Sequence, residues 1–270
     1  MANLVTPKVY YVGQTTINGP ELDRYLHESG NSDFIGSIYA ARKDGLSDSE
    51  ILCSVFAKLC YKSLTIGKNA NISRVRDIKD NLINCFDVGH GSIFEHVSFN
   101  FIIADCSRVF THELVRHRTG TAFSQNSGRY IRLDKIDLVH DPILDSVRDD
   151  ITEILTYVET KYQDLVKKLN LESISDFSTK KKITSALRRI APNGQPNEIG
   201  VSMNLRTLRH TIMLRTSRHA EWEIRVIFAQ IYKMISERYP LMFHGAKVTL
   251  VDGIEEVSGM RMQPYEASAQ

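Results

Sequence analysis

The chain has 270 residues, 42% of them hydrophobic, enough for one large domain with a proper core. Its 34 basic and 32 acidic residues leave a net charge of +2, which excludes a protein that coats nucleic acid and makes any basic site local. No stretch approaches the roughly 20 apolar residues that span a bilayer. The first residues carry no charged segment followed by an apolar one, so no signal peptide is expected. Cys53, Cys60, Cys85 and Cys106 form no CxxC pair and lie within apolar patterns, as reduced, mostly buried thiols of a cytoplasmic protein do.

In chain order, KVYYVG (Lys8 to Gly13) reads as a strand within an uneven segment 1–45. Ser47 and Glu50 stand at capping-box spacing, opening a helix with Leu52, Val55, Phe56, Leu59 and Cys60 as its stripe. A second helix is expected from Ser73, with Val75, Ile78, Leu82, Cys85 and Phe86 on one face and a stop near Gly89. Val97 to Ala104 alternates as a strand, and a short helix-compatible stretch then leads into an arginine-rich loop. Further helices are expected from Pro142 to Leu169, across KKKITSALRRIAP, from Asn204 to Ser217 and across HAEWEIRVIFAQIYKMISERYP, with GVSMN as a short strand. No repeat or linker divides the chain: one α/β domain, with helices dominating a modest sheet, is the reading.

The loop, RHRTGTAFSQNSGRYIR, poses the chemical question. The preceding HELVRH nearly spells the zincin motif, but His112 and His117 are five apart, about 140° around a helix, and cannot share a metal. No nucleophile elbow, dinucleotide fingerprint or Walker A sequence occurs. Arg116, His117, Arg118, Arg129 and Arg132 are instead donors suited to phosphate, either as a solvated basic loop or as an anion cradle. A second cluster, Arg206, Arg209, His210, Arg215, Arg218 and His219, is interleaved with an apolar stripe and favours a polyanionic small ligand.

At these residues the chain resembles the flavin-dependent thymidylate synthases, the ThyX type. RHR followed by eight residues and Ser127 is similar to the family's RHRx7–8S signature. AKLCYKS (57–63), GHGSIFEHVSF (89–99) and NLRTLRHTIMLRTSRHAEWEIR (204–225) resemble its other blocks, in the same order. The resemblance implies a single α+β catalytic domain over 46–245, between an N-terminal extension 1–45 and a tail 246–270. Its sheet would be central and mostly antiparallel or mixed, flanked by long helices, in a homotetramer with active sites at subunit interfaces. It further implies FAD as cofactor, NADPH and 5,10-methylenetetrahydrofolate as co-substrates, dUMP as the methyl acceptor, and no nucleic acid, membrane or metal.

Carried over by position, Cys60, Ser92, Glu95, Arg116, His117, Arg118, Asn204, Arg206, His210 and His219 would hold FAD, with His90 beside flavin and folate. Ser127, Gly128 and Arg129 would receive the nucleotide's phosphate from a neighbouring subunit, Arg188 would also contact the nucleotide, with Gln125 and Glu113 close by, and Arg215 would polarise the uracil. The catalytic set is Arg215, His90 and Ser127. His96 and Trp222 are expected to pack, Glu223 to pair with an arginine one turn away, and Arg218 and Arg225 to form ion pairs. Glu113 stands where many members have Gln. A UMP methylase of the same family and a non-catalytic nucleotide-binding or RNA-binding module are the alternatives.

Overall fold

The computed structural model describes residues 3–130, 133 and 135–261; Arg132 of the basic loop lies outside them. In chain order the elements are β1 (Leu4–Val5), β2 (Lys8–Gln14), α1 (Gly19–Glu28), α2 (Asp33–Lys43), α3 (Asp48–Cys60), α4 (Ile78–Asp87), β3 (Ser98–Cys106), α5 (Arg108–Leu114), β4 (Thr121–Gln125) and β5 (Leu138–Val139). They continue as α6 (Arg148–Lys168), α7 (Phe177–Leu187), β6 (Asn197–Asn204), α8 (Leu205–Arg215), α9 (Trp222–Arg238), β7 (Lys247–Val251) and β8 (Ile254–Ser258).

The centre is a four-stranded antiparallel sheet in the order β2-β3-β6-β4. Alternation in β3 points Phe99, Phe101 and Ile103 to one face, in register with Met203, Val201 and Ile199 of β6, and all six are buried. Onto that face pack Leu208 and Ile212 of α8, Phe228 and Ile231 of α9, and Phe110 of α5. The opposite face leaves Tyr10, Val12 and Ile102 exposed. A second cluster joins Leu26, Phe34 and Ile38 of α1 and α2 to Ile51, Val55 and Ile78, so the segment 1–45 supplies both an edge strand and helical packing.

Three elements differ from expectation. Helix α3 has the expected capping box, but its buried residues are not one stripe: Ile51 and Val55 join the second cluster, Cys53 and Ala57 the main core. The helix is wedged between two apolar bodies, and its end projects Leu59 and Cys60 into solvent, so Cys60 is exposed while Cys53, Cys85 and Cys106 are buried. Helix α4 starts at Ile78 rather than Ser73, because the Asp77 carboxylate accepts from the Asp80 N–H at 2.7 Å and caps it there. The loop after RHR contains strand β4: its backbone pairs with β6 from Thr121↔Met203 to Gln125↔Ile199, a bonding that needs no apolar alternation at a sheet edge. Beyond the last helix, β7 and β8 form a hairpin around Asp252-Gly253, both at positive φ, the Asp-Gly turn chemistry that suits two-residue connections.

Candidate active site

The helix that leads into RHR is anchored at its start by a buried carboxylate. Ser107 caps α5 by accepting from the Phe110 N–H at 3.1 Å, and Ser107 is itself fixed by Glu223. Oε1 of Glu223 accepts the Ser107 N–H at 2.7 Å, and Oε2 accepts its hydroxyl. Burial pushes the Glu223 carboxyl up to about 7. Glu223 therefore bonds a serine rather than the arginine expected one turn away. His96, for its part, stacks on Phe56 with centroids 4.2 Å apart.

After α5 the chain turns through Arg116, His117 and Arg118 to Gly120, whose φ of +68° suits glycine. The turn is laced to the start of α8. The Asn204 N–H donates to the Gly120 carbonyl at 2.8 Å, the Thr207 hydroxyl to the Thr119 carbonyl at 2.7 Å, and the Asn204 side chain caps α8 through the Thr207 N–H at 2.9 Å. A cavity of about 450 Å³ results, bringing Arg116, His117, Arg118, Asn204, Arg206 and His210 together with Glu95. Arg206 pairs with Glu95 and also lines a neighbouring cavity of about 320 Å³ that holds Cys60, His90 and Ser92.

Arg215, at the end of α8, is fixed from two sides. Its Nε–H donates to Nε2 of His117 at 2.8 Å and its Nη1–H to Oε2 of Glu113 at 2.9 Å. His117 must therefore be neutral and carry its proton on Nδ1. Burial, with Arg215 and then His210 nearby, holds its pKa down to about 4. Among the described residues nothing accepts from Nη2 of Arg215, which leaves that donor for a ligand.

A third cavity, of about 520 Å³, brings Gly128 to Arg188. It adds Arg108, Arg189 and Lys135, three cations that sequence reasoning missed: Arg108 and Lys135 carry no local signal, and Arg189 directly follows Arg188. Ser127 and Arg129 flank Gly128 without lining that cavity, while Gln125 donates to the Thr111 hydroxyl at 3.2 Å from β4. His219 stands apart on an exposed turn.

Arg209 leaves the ligand cluster altogether. It is 1% exposed, lies over the Phe86 ring at 4.4 Å and donates to the Met242 carbonyl, a structural cation. Arg218 pairs with Glu256 at 3.2 Å, and Arg225, almost wholly buried, donates to the Val251 carbonyl at 2.9 Å. Among the described residues no group of three or more His, Cys, Asp or Glu side chains could hold a metal ion. Nor, among them, is any helix long and apolar enough to cross a membrane.

Fold and site together define an α+β protein with two donor-rich cavities that share Arg206 and a third lined by Arg108, Lys135, Arg188 and Arg189. The chain belongs to the thymidylate synthase complementing protein family (Thy1), whose sequence profile matches residues 44–241. It is 30% identical over 209 residues to the flavin-dependent thymidylate synthase of Clostridium tetani, covering 73% of this chain and 82% of that one. With the Mycobacterium avium enzyme of the same description, identity is 32% and coverage 73% and 80%. The fold is that of the UMP/dUMP methylase PolB from Streptomyces cacaoi, solved with 5-Br dUMP, at 17% identity and a TM-score of 0.58, covering 89% of this chain and 94% of that one.

Proposed function

We propose that this protein methylates dUMP at C5 to give dTMP, with FAD as cofactor and NADPH and 5,10-methylenetetrahydrofolate as co-substrates. The observation that carries the reading is the Glu113–Arg215–His117 chain beside the RHR cavity. It presents a guanidinium of fixed plane, with one arm unspent, at the edge of a donor-rich pocket.

The donor set fits a flavin dinucleotide. Arg116, Arg118, Arg206 and the Asn204 amide offer N–H groups to a pyrophosphate, and the one carboxylate of that cavity, Glu95, is already paired with Arg206. Ser92 and His210 would complete that site, with Cys60 and His90 beside the flavin and folate. A flavin held there would supply, once reduced by NADPH, the hydride that completes the methyl group from the folate's one-carbon unit.

The chain's own residues bind, orient and polarise. Gly128 and Arg188, flanked by Ser127 and Arg129, take the phosphate of dUMP, helped by Arg108. Arg215 donates to a uracil carbonyl and draws electron density from the ring, so the pyrimidine is activated electrostatically. Neutral His117 holds the guanidinium plane by accepting from Nε. Thiol attack is not needed, and burial pushes Cys85 up to about 11 and Cys106 up to about 12, with Cys53 higher still, which keeps all three protonated. The exposed apolar sheet face at Tyr10, Val12 and Ile102 supports self-association, which we take to be a homotetramer.

The test is tritium release from [5-³H]dUMP by purified protein with each partner omitted in turn, and UMP as comparator. Release that needs FAD, NADPH and methylenetetrahydrofolate together is expected. Colourless protein that binds no flavin would overturn the reading.

A further inference from the structure

Between Lys58 and Arg76 the chain carries five cations, Lys58, Lys62, Lys68, Arg74 and Arg76, and no carboxylate, although the whole protein has a net charge of only +2. This segment leaves the end of α3 and wanders without regular structure to the cap of α4. It is nonetheless anchored. The buried Lys58 ammonium donates to the Arg76 carbonyl, and the Asn69 amide donates to the Tyr61 carbonyl at 2.9 Å. Lys62, Lys68, Arg74 and Arg76 are exposed, and none of them forms an ion pair among the described residues. Four unpaired cations on a tethered loop concentrate positive potential that the fold does not use.

Two of these cations share a cavity. Lys62 and Lys68 line a space of about 310 Å³ with Tyr25, Leu59 and Leu64 as apolar wall. Lys68 spends one donor on the Ser29 carbonyl at 3.1 Å, which aims its ammonium and leaves two donors over. Lys62 stands at a φ of 47°, a left-handed conformation that turns the chain between the two cavities. The connection is immediate in sequence: Leu59 and Lys62 line this space, while Cys60 and Tyr61 between them line the cavity of His90 and Ser92. Tyr61 stacks toward His90 at 6.2 Å, so the aromatic wall of that second cavity stands one residue from Lys62.

We infer that Lys62 and Lys68 bind the glutamyl tail of the folate co-substrate, and that γ-linked chains of several glutamates bind better than a single one. The inference rests on the folate reading given above, with the ring end of the folate beside His90. A folate carries a planar aromatic body and ends in carboxylates; the cavity pairs an aromatic and aliphatic wall of Tyr25, Leu59 and Leu64 with the ammonium groups of Lys62 and Lys68. The donors also favour carboxylates spaced along a flexible chain over a phosphate. They are separate point charges on a loop, lacking the convergent forks and backbone N–H groups of a phosphate cradle.

The test compares methylenetetrahydrofolate bearing one and five glutamates, by KM in turnover and by calorimetric Kd with the holoprotein. Wild-type protein is expected to bind the pentaglutamate about tenfold more tightly, the sum of two or three partly screened ion pairs. In Lys62→Gln/Lys68→Gln the penalty grows with tail length, so most of that preference disappears. Lys167→Gln/Lys168→Gln, an equal charge change on α6 away from the cavity, keeps it. Equal wild-type affinity for the two folates, or a preference that survives the double substitution, overturns the inference while leaving the proposed reaction standing. A loss that falls on NADPH instead also overturns it and reassigns the lysines to the pyridine nucleotide. Absence of any folate-dependent turnover would defeat the broader reading, and Kd values for the two folates would still decide the tail site.

Discussion

The carboxylate of Glu113, at the end of α5, takes an Nη1–H of Arg215, at the end of α8, at 2.9 Å, joining two helices whose paired residues lie 102 positions apart. Both side chains are mostly shielded, with 28% and 19% of their surfaces exposed, so the pair is more than a surface contact. It orients the guanidinium but also cancels part of its charge, and on the proposed function it would place a negative group near a dianionic nucleotide. Glu113→Gln keeps an acceptor for Arg215 and removes the charge. The KM for dUMP is expected to fall about fivefold, corresponding to about 1 kcal/mol of relieved repulsion at partly exposed sites. Glu113→Ala loses the orientation as well and should lower kcat. Steady-state kinetics on the two variants separate the effects, and a raised KM in Glu113→Gln would contradict this account.

Two titrating groups near the motif act in opposite directions. His117 has its pKa held down from 6.5 to about 4 by burial, so between those values the unfolded chain binds a proton that the folded chain refuses. Its effect is a loss of stability as pH falls through that window. Glu223 is pushed up from 4.5 to about 7, again by burial, so the folded chain holds a proton that the unfolded chain releases. Its effect is a loss of stability as pH rises through that window. Urea midpoints measured from pH 4 to 8 should therefore diverge. His117→Gln gains on wild type as pH falls below 6.5, and Glu223→Gln gains as pH rises above 4.5. Parallel curves for all three proteins would refute both assignments.

The hairpin of β7 and β8, beyond the stretch matched by the family profile, grips the turn that follows Arg215. Glu256 accepts from the Arg218 N–H at 2.7 Å and from its Nε–H at 3.2 Å, contacts that hold its carboxyl below the usual range. One residue on, the Val257 N–H donates to the buried Thr216 hydroxyl at 2.9 Å. Thr216 directly follows Arg215, so slack in this turn displaces the guanidinium. Glu256→Ala is expected to raise the KM for dUMP about tenfold, since small misplacements of a positioned group carry such costs, with flavin content unchanged. Glu256→Gln, which keeps the acceptor for the Arg218 N–H, should recover most of the loss. A loss of flavin in parallel with activity would point to general unfolding instead.

Legibility in the sequence followed the physical source of each element. Strand β3 and helices α8 and α9 bury a single face each, so their periodicity was readable, and the capping box at Ser47 was visible as a pair of residues. Helix α3 is buried on two sides and β4 is held by backbone pairing, and neither arrangement leaves a stripe. The hairpin was readable in principle from Asp252-Gly253 between apolar residues. For the site, motif spacing indicated which residues carry donors but not which donors are spent. Arg209, buried against Phe86, and Arg206, lining a cavity, differ by three positions and look alike in a string of letters. The link from Glu113 through Arg215 to His117 depends on α5 and α8 ending side by side, which no local pattern encodes.

Gly120 offers a test of how tightly the RHR turn is built. Its φ of +68° alone would cost an alanine about 1 kcal/mol. A methyl group there would also stand 2.2 Å from Nδ2 of Asn204, a contact no real pair tolerates. Asn204 cannot move aside freely, because its side chain caps α8 and its own N–H is bonded to the Gly120 carbonyl. Gly45 provides the comparison: its φ is +86°, yet nothing lies within 4 Å of an added Cβ. Gly45→Ala should therefore lose only the conformational term, about 1 kcal/mol, and keep its flavin. Gly120→Ala should lose about 2–3 kcal/mol, conformational strain plus a damaged helix cap, and much of its flavin absorbance, because Arg116, Arg118 and Arg206 no longer converge. Urea denaturation with flavin spectra on both variants checks the pair; equal losses would mean that the turn and α8 are not coupled through Asn204.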